Sequence, residues 1–198
     1  MDILGHAVYG ATLCSRAGLA GGRGGSATDI IWRDWTVWAS VGFGLFPDAL
    51  SIGVAFAQMA LGGEPISFHN LPPYVFVFYR LTHSLIIAGL GVLLLRWAAR
   101  SIALPALAWP VHILMDSVLH DDGRWQTPML FPFSDWHFQG INWWQHPKVV
   151  LLYWGILPLV WLAIHLWRRK AAKSVCKRRA MCVSTKSSLT VTQREDVQ

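Results

Sequence analysis

Residues 149–167 read VVLLYWGILPLVWLAIHLW, with no acidic residue, lysine or arginine. As a helix rising about 1.5 Å per residue, a run of this length matches the roughly 30 Å hydrocarbon core of a bilayer. The stretch therefore predicts a membrane crossing, with Pro158 as a tolerated kink. That crossing constrains the rest of the chain, because lipid offers no partner to a bare peptide group and spanning segments must satisfy their own backbone. Three further apolar runs fit the same scheme: 84–99, extended backward through Leu81, then 101–119, and 35–61. The run 35–61 is interrupted by Pro47-Asp48, so this first span is expected to be broken or re-entrant. The fold class expected is all-α, a multi-pass transmembrane bundle of about four spans.

Composition agrees. Charged residues are 14% of the 198, hydrophobic residues 54%, and mean hydropathy is +0.37; soluble domains carry about 25% charge. Twelve tryptophans suit the membrane–water boundary. The net charge of +6 is concentrated from Arg168 onward, in RRKAAKSVCKRR. After an apolar span such a cluster reads as a cytoplasmic flank rather than a nucleic-acid surface. With the tail on that side, Arg96, Arg100 and the N-terminal Arg16, Arg23 and Arg33 fall there too. Only Arg80, Arg124 and Lys148 lie opposite. Both ends are thus expected to be cytoplasmic, with a membrane domain over 1–167 and a largely disordered basic tail over 168–198. The stretch 18–25, GLAGGRGG, is a turn or linker. Cys14, Cys176 and Cys182 lack metal-type spacing, and no cleavable signal peptide is expected, since Asp2 stands where a basic region belongs.

Polar residues inside apolar runs are costly and face a partner or a wet cavity. In HILMDSVLHDDGRW, residues 112–125, His112 and Asp116 stand four apart and share a helical face. His120 joins them if the helix continues past Leu119; Pro110 opens this segment and Asp121-Asp122-Gly123 closes it. Imidazole nitrogen with carboxylate oxygen suits zinc, manganese or iron. A plain His–Asp hydrogen bond between helices is the competing reading. Asp48 lies deep in an apolar run with no basic neighbour in sequence, so it must be protonated or meet a cation. His83 opens a helix that Thr82 or Ser84 caps, His6 lies in LGHAVYG, and His165 reads as a boundary residue. In the loop 127–147, Trp136, Trp143 and Trp144 suggest an interfacial belt, while Asp135 and His137 suit a cavity mouth.

This ordered set resembles the membrane-bound metal-dependent hydrolase family, the YdjM-like inner-membrane proteins. The likeness rests on His6 among small residues, FPD at Asp48, THSL at His83, and HILMD at His112 and Asp116 followed by the FPFS loop at 131–134. It covers residues 4 to 145. It implies a helical protein of the bacterial inner membrane holding a divalent ion, with His6, Asp48, His83, His112 and Asp116 as metal ligands. A more distant similarity to zinc-dependent phospholipases C implies a phosphoester or ester substrate, including lipid. Two departures point to a single ion: Ala49, Leu50 and Ser51 follow Asp48 where many members place a second acid, and Tyr79 replaces a histidine before Arg80.

The mechanism expected from these residues is attack by a metal-activated water, with Asp116 or Asp48 as general base and Arg80 neutralising a phosphate oxygen. The alternative is a non-catalytic membrane protein, an ion or proton pathway or a metal-stabilised scaffold. A pathway needs its polar groups in file across the bilayer, whereas catalysis needs them gathered at one point.

Overall fold

The structure, a computed structural model, describes residues 2–22, 31–120, 123 and 125–170. Among these residues every regular element is helical. Helix α1 spans Ile3–Cys14, α2 Trp35–Asp48, α3 Val54–Leu61, α4 Pro73–Thr82, α5 Leu85–Ala98, α6 Arg100–Ala106 and α7 Ala108–Leu119. The last, α8, spans Pro147–Lys170. Three stretches are long and apolar enough to cross a membrane: Trp35–Leu61, Arg100–Leu119 and Pro147–Lys170. The pair α4 and α5 qualifies as a fourth, bent by 60° at its junction. The multi-pass bundle read from the hydropathy is therefore the observed architecture. Asp121, Asp122, Arg23, Arg124 and the basic tail beyond Lys170 lie outside the described residues.

The bundle is inside-out by the standards of a soluble protein. Trp97, Leu151, Leu159 and Leu94 stand exposed on outer faces, while His6, His83, His112, Asp116, Thr12 and Thr36 are buried. Lipid is as apolar as leucine, so helices associate through small residues and polar contacts instead. The α1–α2 pair shows how. A Cβ on Gly10 would lie 2.9 Å from the Ser40 carbonyl oxygen, and one on Gly44 would lie 2.8 Å from that of His6. Only bare glycine lets these two backbones approach so closely. The facing pairs 6 with 44 and 16 with 36 make α1 and α2 antiparallel; the Arg16 N–H donates to Thr36 Oγ1 at 2.9 Å.

Helix α1, at twelve residues, is too short to cross a bilayer alone. It lies beside α8 in parallel. Tyr153 and Trp154 donate to Asp2 at one end, Trp161 Nε1 donates to Thr12 Oγ1 midway, and Arg168 donates to the carbonyls of Arg16, Ala17, Gly18 and Gly22 at the other. Burial alone would raise the Asp2 carboxyl, but hydrogen bonds from Tyr153, the Gly5 N–H and Trp154 hold it below its ordinary value. Asp2 lies level with Tyr153, and the far end of α1 meets Arg168. This insertion carries His6 away from the basic end.

Pro47 does not divide the first long span. Helix α2 passes through a π turn at Ala49–Gly53 and continues into α3. The wider turn absorbs the missing N–H and ring of the proline. It leaves the Pro47 carbonyl outside the regular ladder, where Ser51 Oγ donates to it at 2.8 Å and Thr82 Oγ1 at 3.2 Å. The break falls instead between α4 and α5. There Trp109 Nε1 donates to the freed Thr82 carbonyl at 2.7 Å, and Ser84 caps α5 by accepting from the Ile87 N–H at 3.3 Å. The FPFS loop closes over the bend: Ser84 Oγ donates to Phe131 O at 2.6 Å, and the Leu85 N–H to Met129 O at 2.9 Å.

Candidate metal centre

Each irregularity in the helices presents one polar side chain to a common point. Asp48 ends α2 immediately before the π turn, the α4–α5 bend carries His83, and one face of α7 carries His112 and Asp116. One donor atom from each of the four lies within 4.8 Å of all the others. The separations are specific. His83 Nε2 is 3.6 Å from Asp48 Oδ1 and 3.4 Å from Asp116 Oδ2; His112 Nε2 is 3.8 Å and 3.2 Å from the same oxygens; the two Nε2 atoms are 3.1 Å apart. Four donors each at 2.0–2.1 Å from a tetrahedral zinc lie about 3.3–3.4 Å from one another. The five distances bracket that value.

Protonation leads to the same conclusion. His112 Nδ1 is 2.6 Å from the Gly44 carbonyl oxygen, and His83 Nδ1 is 3.0 Å from that of Tyr79. A carbonyl only accepts, so each Nδ1 carries the hydrogen. In the neutral rings both Nε2 atoms then present lone pairs to each other and to two carboxylates. Four electron-rich atoms facing one point in a buried site are stabilised by a shared positive charge, whether a proton on an imidazole or a metal ion. Carbonyls on Nδ1 are also the usual partners that orient metal-binding histidines. The residues therefore fit a divalent ion, and a possible metal site among apolar helices is what the structure supplies.

His6 and His120 approach from the other side of Asp116. His6 Nε2 lies 2.9 Å from Asp116 Oδ1, and the His6 ring stacks on His112 with centroids 3.6 Å apart. Helix α7 ends at Leu119, so His120 is not helical. It is the extended C-cap residue (φ −113°, ψ 134°), and the turn still brings its Nδ1 to 3.6 Å from Asp116 Oδ1. Burial pushes the His120 imidazole down to about 4.

Four of the five anticipated ligands, Asp48, His83, His112 and Asp116, thus face one point, and the fifth, His6, lies against the other oxygen of Asp116. Arg80 does not join them. On α4, residues 79 and 83 share a face while 80 lies about 100° round. Its guanidinium pairs with Asp135, 4.7 Å from the centroid of the Phe131 ring, at an exposed position. There it lines a cavity of about 340 Å³ with Phe76, Tyr79, Gln126, Pro128, Asp135 and His137. The cavity mouth expected at Asp135 and His137 is thus present. Tyr79, noted in sequence only as a departure from the family pattern, is fully buried; its ring stacks on His83 at 3.8 Å and its hydroxyl donates to Trp125 O at 3.0 Å. It forms a wall common to cavity and cluster. The signal available was its position, four residues before His83 on one helical face.

No protein-family model matches the chain, no curated protein matches it, and no solved structure matches it.

Proposed function

We propose that this chain is a metal-dependent membrane hydrolase acting on a phosphoester or ester, with membrane lipid as a substrate class its setting favours. The observation that carries the reading is the convergence of Asp48, His83, His112 and Asp116 beside a solvent-open cavity. Zinc is the ion best suited to this N,O cluster, where His83, His112 and Asp116 would hold it and leave a fourth position open to water. Bound there, it supplies Lewis acidity and lowers the pKa of a water toward 7. Asp48, the most accessible of the four with a side chain 15% exposed, is positioned to accept a proton at Oδ1. His83 and His112 hold their Nε2 atoms toward the reaction point through carbonyl bonds on Nδ1. The likeness to the membrane-bound metal-dependent hydrolases supports the same assignment, with a bacterial inner membrane and a cytoplasmic C-terminus. Arg80 acts, in this proposal, at the cavity as an anion partner for the entering substrate and not at the cluster.

Gathering at one point also favours this reading over an ion or proton pathway, which requires groups in file. The test is metal analysis of detergent-purified protein, followed by hydrolysis assays with phosphodiester and ester probes. A stoichiometric metal lost in Asp116→Ala and His83→Ala, with hydrolysis in the wild type alone, supports the proposal. Metal without hydrolysis of any probe favours the scaffold, and no metal in the wild type removes both.

A further inference from the structure

The four-residue centre uses one oxygen of Asp116. Its second oxygen faces a separate pair of imidazoles from distant parts of the chain. His6 Nε2 from α1 and His120 Nδ1 from the end of α7 stand 2.9 Å and 3.6 Å from Oδ1, while His83 and His112 face Oδ2. His6 is 1% exposed, yet neither of its ring nitrogens makes a hydrogen bond; His120 Nδ1, also enclosed, makes none either. Burying an imidazole nitrogen without a hydrogen bond is unfavourable. The close approach at Gly10 and Gly44 holds His6 in this position. Two of these nitrogens, His6 Nε2 and His120 Nδ1, flank the same oxygen of a buried carboxylate, a donor set of the kind that holds a metal ion.

We infer that His6 Nε2, His120 Nδ1 and Asp116 Oδ1 bind a second divalent cation of the zinc type, so that Asp116 bridges two ions. This rests on the metal-centre reading above. It revises the single ion expected from the residues after Asp48, because the second site draws its ligands from His6 and His120 instead. Three protein donors leave coordination positions open, as in sites that also bind substrate or water. A shared carboxylate places two ions about 3.5–4 Å apart, the spacing of two-metal phosphoester and peptide hydrolases.

The experiment uses the full chain in detergent, stripped by chelator and dialysed against zinc, with bound metal counted by mass spectrometry. A parallel sample is loaded with manganese(II) for electron paramagnetic resonance. The expected result is two zinc ions per chain and an exchange-coupled manganese spectrum. His120→Gln, at a partly open helix end, and His6→Gln should each bind one ion and give the spectrum of an isolated manganese. One ion in the wild type, unchanged in both variants, overturns the second site and leaves the first standing. No ion in the wild type overturns both readings. Two ions with uncoupled spectra, or two retained in both variants, overturn the bridging assignment. Should both variants fail to fold, the wild-type stoichiometry and coupling decide alone.

Discussion

The metal centre and the Arg80 cavity share one wall, the Tyr79 ring, and hold charge in opposite ways. At the centre, Asp116 and the imidazoles are buried, Asp48 is 15% exposed, and both His83 and His112 are fixed by a carbonyl. In the cavity, Arg80 and Asp135 pair at 41% and 76% side-chain exposure. A buried charge without its counterpart is expensive, so the first set is held to a narrow geometry. An exposed pair is screened by water and contributes little. The centre is therefore the more tightly constrained of the two and the cavity the less.

The comparison can be broken most directly at Asp116. Asp116→Ala removes oxygens facing four histidines and should abolish metal retention altogether, measured by elemental analysis; retention at wild-type level would end the claim of a shared centre. Next in size is the effect of the ion on stability. Zinc at a hundred times its Kd should stabilise the fold by about 2.7 kcal/mol, read as a raised thermal midpoint in detergent that chelator reverses. Gly44→Ala places a methyl group against the His6 carbonyl and should cost about 1–3 kcal/mol, with weaker metal retention because α1 is pushed off. Arg80→Ala should change stability by about 0–1 kcal/mol and leave bound metal unchanged while weakening binding of anionic probes. A loss of metal in Arg80→Ala would show that cavity and centre are not separate. The smallest effect belongs to Asp2. Its carboxyl is held below the ordinary value, so its contribution is complete at neutral pH and is lost as pH falls below 3.8. Asp2→Asn should lower stability slightly across the neutral region, flatten the acid limb of the pH–stability curve, and converge with the wild type at the acid end.

Much of the site was legible before the fold. His112 and Asp116 are four apart on one helix, a spacing that alone puts both on one face. Asp48 and His83 stood out because each is a polar group in an apolar setting. The π turn was not legible, because Pro47 signals a disrupted ladder without saying whether the helix stops or widens. Neither was the part played by His120. Helical periodicity carries it only if the helix continues, and the chain instead turns at Leu119 and reaches the same oxygen from an extended residue.

The sequence by itself determined that this chain is a bundle of apolar helices with a few acids and imidazoles it has to bury, because hydropathy and i,i+4 spacing are local properties. Tertiary structure alone decided that α1 inserts beside α8, that Gly10 and Gly44 draw His6 to Asp116, that Tyr79 walls off the cavity, and that Arg80 stays outside. These depend on how closely backbones distant in sequence can approach, which is set by packing between helices and not by the pattern along any one of them.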